Sequence, residues 1–337
     1  MMRKVVVTPG GIEVRQVTEP EPGPGEALIR TSVSGVCGSD THATRGRHPN
    51  VTPPYAPGHE VVGVVLAVAP DVADLLPGTR VTVEPDLPCW TCKQCQAGRE
   101  NLCENLGFFG CGSEQGGMAD LFTIDARRLH AVPDDLDDRA AALIEPLATP
   151  VHAVRLAGEV RGKAAAILGA GPIGLLTLRV ARAQGARRIV MTARSAANRE
   201  RATSFGADAV VDANAADAAD QVRAQLGESA DVVFDCVAEE STLHQALAMA
   251  NKGGTVVVVG VPPGDVRLPL ALVQDSQLRI QGSATYLPED FREAVALLRA
   301  GVVDAAEFVT SVHSLDRAAD AFADAAGGNH LKVLIQP

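Results

Sequence analysis

The feature that most limits the fold of this chain is a glycine loop set between a strand and a helix. Residues 164–174 read AAAILGAGPIG, so a short apolar run enters G-x-G-x-x-G, and a Leu-rich helical segment follows. In that setting Gly169 permits a tight turn, Gly171 lets the backbone approach a pyrophosphate, and Gly174 lets the helix pack against the strand. Pro172 and Ile173 open the helix, whose unpaired N–H groups suit a phosphate. Further β-type runs follow at 188–193, 209–212, 231–237, 255–261 and 278–283, separated by Ala- and Leu-rich segments that end near glycine. Six strands joined by crossover helices make an α/β, doubly wound parallel sheet. Val261, closing the fifth run, is grouped with the coenzyme-binding residues, and the Ala-rich run 213–220 is assigned to no element.

A site for NAD normally closes its second strand with an acid on the adenine ribose, about twenty residues past the loop. Here that strand ends at Ala193, and Arg194, Ser195 and, a helical turn later, Arg199 follow. A 2′-phosphate brings roughly 1.5 to 2 negative charges. Each charge-assisted hydrogen bond to it contributes about 1.5–3 kcal/mol, roughly tenfold or more in affinity. NADP(H) is therefore expected over NAD(H).

The chain has 337 residues, enough for two domains. Residues 1–130 read as a β-dominated unit, with turn chemistry such as EPEPGPGE between β-branched runs. From Asp137 the sequence reads as helix, broken or restarted at Pro146, and the chain closes with a helix-like 291–301 and a strand at 332–336. The formal net charge of -11 opposes binding to a nucleic-acid backbone. No apolar run is long enough for a membrane span, and the three valines after MMRK are too few for a signal-peptide core. A cytoplasmic chain with neither nucleic-acid nor membrane partners is expected.

Four of the seven cysteines, Cys89, Cys92, Cys95 and Cys103, are spaced C-x2-C-x2-C-x7-C. In a reducing compartment clustered thiols suit a metal, and four thiolates make a closed tetrahedral site for structural zinc. Such a site leaves no position for substrate. Chemistry is sought instead at Cys37 in GVCGSDTH, His59-Glu60 in APGHEVVG and Glu145 in IEPLA. Together they offer S, N and O donors for a catalytic zinc with an open position.

With GVCGSDTH, GHEVVG, CWTCKQCQAGRENLC, EPLAT and GAGPIG in that order, the whole chain resembles the zinc-dependent medium-chain dehydrogenase/reductase family. Within it the resemblance is closest to the sorbitol/polyol, glucose and threonine dehydrogenase branch. The resemblance implies a GroES-like β-barrel catalytic domain from 1–146 and 284–337 and a Rossmann domain from 147–283. It implies two zinc ions per chain, with Cys37 and His59 as catalytic-zinc ligands. Glu60 matches an acid that relatives bring into or near the zinc, and Glu145 stands where classical alcohol dehydrogenases have a second cysteine. Which carboxylate binds directly stays open. Ser39 matches the hydroxyl on the substrate oxygen, His42 the next member of a proton relay, and Thr149 a residue that packs on the nicotinamide.

The expected reaction is hydride transfer between an alcohol or polyol, or the matching carbonyl, and the coenzyme. A zinc-free quinone or enoyl reductase of the same fold is the alternative within the enzyme class, although it has no use for the Cys37, His59 and Glu145 set. A catalytically silent zinc-binding scaffold is the alternative outside it. The resemblance also implies a homo-dimer or homo-tetramer paired near residues 278–283. Phe108, Phe109, Tyr55, Trp90 and Tyr286 either line the substrate pocket or are ordinary core residues.

Overall fold

The computed structural model describes every residue except Arg47 and Asn50. The chain divides into two compact units, Met1–Pro146 with Leu287–Pro337, and Leu147–Tyr286. The return to the first unit thus lies three residues beyond 284. The last strand of the second unit ends at Gly282, and 283–286 continue that unit rather than opening the next.

The first unit is built on a seven-stranded sheet. Its order is Val309–Ser314, Lys332–Gln336, Glu26–Val36, Glu60–Val68, Arg80–Val83 and Leu129–Ala131, and Leu121–Asp125 also pairs with Glu26–Val36. All of these pairings are antiparallel except that of the two C-terminal strands. Along Glu26–Val36, Ala27, Ile29, Thr31 and Val33 are buried in alternation, the period of a strand with one face on a core. Ala27 and Ile29 belong to one core cluster with Val61, Val65, Val81, Phe109 and Phe122. From Ser34 to Val36 every residue is buried, so this strand delivers the chain to Cys37 at the interior end of the sheet.

The second unit is a six-stranded sheet, all parallel, in the order Ala209–Asp212, Arg188–Ala193, Ala164–Leu168, Ala230–Asp235, Ala250–Val258 and Arg279–Gly282. It is the doubly wound arrangement expected. The order reverses between Ala164–Leu168 and Ala230–Asp235, the position where such sheets bind ligands. Ala164–Leu168 is fully buried, because crossover helices cover both faces of a parallel sheet.

Two local expectations are corrected. The helical break falls before Ile144, between Asp138–Ala141 and Ile144–Ala157, so Pro146 lies inside the first turn of the longer helix. A first-turn N–H has no intrahelical acceptor, so its absence there costs little. The Ala-rich run leads into a helix, Ala218–Leu226, which seats Ala218, Val222 and Leu226 in the core at helical spacing. The break at Asp217 and the period starting only at Ala218 hid it within the alanines.

Candidate functional site

In the first unit two neighbouring strands, Glu26–Val36 and Glu60–Val68, bring a metal-binding constellation together. Cys37 caps the short helix Gly38–Ala43, and its backbone N–H donates to Asp40 Oδ2 at 3.1 Å. His59 and Glu60 open the neighbouring strand, where Glu60 pairs with Gly35. A Cβ on Gly35 would lie 2.0 Å from Glu60 Oε2, so only glycine leaves room for that carboxylate. Donor atoms of Cys37, His59 and Glu60 all lie within 4.8 Å of one another. A thiolate, an imidazole and a carboxylate are donors that zinc accepts.

The surroundings orient these ligands. His59 is buried with Nδ1 facing the Gly110 carbonyl at 3.4 Å; an Nδ1–H donated there leaves Nε2 as the lone-pair nitrogen. Gly110 comes this close because a side chain on it would strike the Gly58 carbonyl, its Cβ 2.3 Å from that oxygen. Glu145, buried in the first turn of Ile144–Ala157, lies outside the three-residue group. Its charge joins those of Glu60 and Cys37 in favouring the Lys332 ammonium. Ser39 Oγ is buried against the Cys111 thiol and has no other hydrogen-bonding partner among the described residues. His42 is exposed, one turn along the same helix.

Two participants were not singled out in the sequence. Asp40 is fully buried, and burial pushes its carboxyl up to about 6 against the opposing charge of His59. Lys332, which opens the C-terminal strand, places Nζ 2.5 and 2.6 Å from the two oxygens of Glu60 and 3.4 Å from the Val36 carbonyl. Burial works against its ammonium, and Glu60, Cys37 and Glu145 outweigh that effect. Asp40 was visible as the acid three residues after Cys37, a helix-capping position. A lysine before an apolar strand carries no such signal.

The four-cysteine lobe fits a closed metal site. All seven cysteines are free thiols. Four sulfurs about 2.3 Å from one tetrahedral ion stand about 3.8 Å apart, and here Cys92 Sγ lies 3.5 Å from Cys95 Sγ and 3.9 Å from Cys103 Sγ. Backbone N–H groups point at the sulfurs, from Cys92 to Cys89, and from Cys89 and Asn105 to Cys103. The Thr91 backbone and hydroxyl contribute most to holding the Cys89 thiol down to about 5. The lobe is pinned to the sheet by Arg128, which pairs with Glu84 and, at 3.1 Å, with Glu100. Trp90 lies under Arg127, 4.1 Å from guanidinium carbon to ring centroid. Trp90 therefore belongs to the lobe, and Phe109 and Tyr55 belong to core clusters. Phe108 meets His59 edge-on at 5.5 Å.

In the second unit the three loop glycines have different physical origins. Gly169 has φ +97°, and its Cβ would lie 2.7 Å from Val237 Cγ2; a Cβ on Gly174 would lie 2.0 Å from the Gly169 carbonyl oxygen. The fold requires both. Gly171, with φ −80° and ψ −177°, caps the helix Pro172–Ala183, and a Cβ there meets nothing. Its bare backbone is explained by a ligand at the helix N-terminus, which fits a coenzyme pyrophosphate.

At the end of Arg188–Ala193, Ser195 Oγ accepts the N–H of Asn198 and caps the next helix. Arg194 is exposed, 3.8 Å from Glu239. Arg199 donates to the carbonyls of Ala193 and Arg194 and pairs with Asp212 at 3.1 Å. Thr149 is half-buried on Ile144–Ala157 and Val261 is exposed.

Two family models match the chain, an alcohol dehydrogenase GroES-like domain over residues 23–134 and a zinc-binding dehydrogenase over 172–300. Sorbitol dehydrogenase of Ovis aries is 33% identical over 98% of this chain and 95% of its own. A protein of Sinorhizobium meliloti described as a zinc-binding dehydrogenase, solved bound to NADP, is 36% identical with a TM-score of 0.91, covering 100% of this chain and 99% of its own. For 2R,3R-butanediol dehydrogenase of Bacillus subtilis the identity is 28% and the TM-score 0.90, with both chains fully covered.

Proposed function

The chain belongs to the zinc-binding alcohol dehydrogenases with a GroES-like domain, and from that premise we propose an NADP(H)-preferring enzyme that oxidises a polyol or related secondary alcohol, or reduces the ketone. As a zinc-containing dehydrogenase it acts on a CH–OH group with a nicotinamide coenzyme. The NADP reading is carried by one observation. The strand that would present a ribose-binding acid ends at Ala193, and the exposed Arg194 follows. Arg199 supports it less directly, because its guanidinium is already held by Asp212 and two carbonyls. Ser195 caps the same loop and would offer its hydroxyl from the helix start.

Cys37, His59 and a carboxylate from Glu60 or Glu145 would hold the catalytic zinc, and the four-cysteine lobe a structural one. When bound, the catalytic ion supplies a Lewis acid that polarises a hydroxyl or carbonyl oxygen, and the coenzyme supplies the hydride acceptor or donor. The protein's own groups handle the proton. Ser39 Oγ, buried with only the Cys111 thiol beside it, accepts the substrate hydroxyl proton and passes its own outward. His42, exposed on the same short helix, releases that proton to solvent. The hydroxyl loses one proton by this route and the carbinol carbon loses one hydride, which balances oxidation to the ketone. Thr149 and Val261 complete the coenzyme contacts in this reading, and Gly169, Gly171, Pro172, Ile173 and Gly174 hold the pyrophosphate.

A homo-oligomer is part of the proposal. Arg279–Gly282 is the last strand of its sheet among the described residues, so one edge is unpaired, and Ile280, Leu270 and Leu272 expose apolar side chains. An unpaired edge with apolar neighbours invites pairing with a second copy. Free thiols at all seven cysteines suit the cytoplasm. Among the described residues no helix is long and apolar enough to cross a membrane.

The test is turnover on polyols, sugars, amino alcohols and simple alcohols with NADP and NAD in parallel, with metal chelated and restored. Chelator-sensitive activity that favours NADP is expected. Equal efficiency with both coenzymes would remove the NADP reading, and full activity of Cys37→Ser would remove the metal mechanism.

A further inference from the structure

Arg194 and Glu239 meet across the strand that leads into the glycine loop. Leu168, the last residue of Ala164–Leu168, is in register with Thr192 on one side and with Asp235 on the other. Arg194 comes two residues after Thr192, and Glu239 comes four residues after Asp235. Their 3.8 Å contact therefore bridges the carboxyl end of the strand between them. That end is the switch point of the sheet, where a doubly wound fold binds its ligand.

The backbone is fixed on both sides of this bridge. The Arg194 carbonyl accepts from Arg199 at 2.8 Å and from Asn214 at 3.2 Å. Opposite, the fully buried Asp235 accepts the N–H groups of Val237 and Ala238 through Oδ1 and the Thr242 hydroxyl through Oδ2. These bonds hold Ala238 at φ +58°, a conformation that a residue with a Cβ seldom adopts. Thr242 Oγ1 then accepts the Glu239 N–H at 3.0 Å. The same turn packs on the glycine loop, since a Cβ on Gly169 would lie 2.7 Å from Val237 Cγ2. The side chains of Arg194 and Glu239, by contrast, are 70% and 47% exposed.

The charges around this site come in pairs. Asp212 holds Arg199 at 3.1 Å, whereas Glu239 faces Arg194 at 3.8 Å, longer than a hydrogen bond. Arg194 is thus the guanidinium with the looser partner. An incoming phosphate competes with that carboxylate for the same N–H donors, and the two anions repel each other. A ribose hydroxyl makes no such demand, so the pair can stay closed beside it.

We propose that Glu239 is a specificity-determining residue for the coenzyme. It is the counter-ion that Arg194 gives up to a 2′-phosphate, and it limits both the affinity for NADP(H) and the preference over NAD(H). This rests on the reading that Arg194 receives the 2′-phosphate. Glu239 acts through Arg194, and the turn held by Asp235 aims it.

The experiment measures the dissociation constants of NADPH and NADH for the full-length protein by fluorescence titration at low and high salt. Glu239→Gln keeps the shape of the side chain and removes its charge. NADPH should bind about two- to fivefold more tightly, the scale of one exposed ion pair. NADH binding should stay within about 1.5-fold of the parent, the lower end of that scale. The gain for NADPH should shrink at high salt, where exposed charges are screened. In an Arg194→Ala background it should vanish, because no guanidinium is left to release.

No gain for NADPH, an equal gain for both coenzymes, a gain independent of salt, or a gain that persists without Arg194 would each overturn the proposal. Arg194→Ala by itself separates the two readings. If it weakens NADPH binding while Glu239→Gln changes nothing, the NADP(H) reading stands and the role of Glu239 falls. If it leaves NADPH binding unchanged, the NADP(H) reading falls and this inference with it.

Discussion

Replacing Gly171 by alanine is expected to weaken coenzyme binding while leaving the fold intact, a separation that no other glycine of the loop permits. The added methyl meets no protein atom within 4 Å, and the backbone, at φ −80° and ψ −177°, suits any residue. Losing glycine's freedom in the unfolded chain stabilises by about 0.4–1 kcal/mol. Alanine is a poorer helix cap than glycine by a similar amount, typically less than about 1 kcal/mol. The two effects nearly cancel, so the melting temperature should move by less than about 3 °C. A methyl between the helix N-terminus and the pyrophosphate should displace one or more charge-assisted hydrogen bonds. Each contributes about 1.5–3 kcal/mol, or roughly 10–150-fold in dissociation constant. Fluorescence titration with NADPH, run beside thermal melts, measures both quantities. Gly174→Ala is the contrast, since its Cβ would lie 2.0 Å from the Gly169 carbonyl oxygen, and it should lower the melting temperature sharply. NADPH binding within twofold of the parent in Gly171→Ala would refute the argument that the bare backbone serves a ligand.

Arg194→Ala should reduce the ratio of NADP to NAD efficiency by roughly tenfold or more, the scale of one lost charge-assisted contact; steady-state kinetics with both coenzymes measures it, and an unchanged ratio would show that Arg194 is merely solvated. Arg128→Met removes a 1% exposed cation from Glu84 and Glu100 and should lower the unfolding free energy by about 3–5 kcal/mol. His130, 2.7 Å from Glu84, can soften that loss; denaturant titration giving under about 1 kcal/mol would mean the pair is dispensable. For Asp208, burial alone would raise the carboxyl pKa, but the Ile189 N–H and the Arg182 guanidinium hold it below its ordinary value. A carboxylate depressed in the folded state stabilises above its unfolded pKa of about 4 and loses that contribution as pH falls through the folded value. Asp208→Asn should therefore be less stable than the parent at neutral pH, with the gap closing below about pH 4; a gap independent of pH would contradict the linkage.

What could be read from the sequence follows the range of the interactions. Ala164–Leu168, Arg188–Ala193 and Lys332–Gln336 have the predicted boundaries, because apolar runs closed by Gly169, Arg194 and Pro337 encode them locally. The cysteine lobe is legible for the same reason, since its four donors lie within fifteen positions and the sulfurs meet as the spacing implies. Cys37, His59 and Glu60 were recognisable as residue types in short motifs, and the fold brings them together across two strands. Lys332 was not, because its partner is 272 residues away and only strand order joins them. The Arg128 anchor was hidden likewise. In sequence it is one of two adjacent arginines, and only the turn after Leu121–Asp125 decides that Arg128 goes in while Arg127 lies over Trp90. Pro146 misled for a different reason. Proline is a helix breaker only past the first turn, and sequence does not say where the first turn starts.

The strand that carries Lys332 lies 272 residues from the Glu60 carboxylate with which it pairs, and the whole second unit is synthesised between them. Translation at about 5–20 residues per second leaves an interval of roughly 15–55 seconds between Glu60 and its counter-charge. During that time Glu60 has no ammonium to pair with, and the sheet lacks the strand that borders Glu26–Val36. The second unit can be finished first, and the sheet of the first becomes topologically whole, with the Glu60 carboxylate paired, only once Lys332–Gln336 is made.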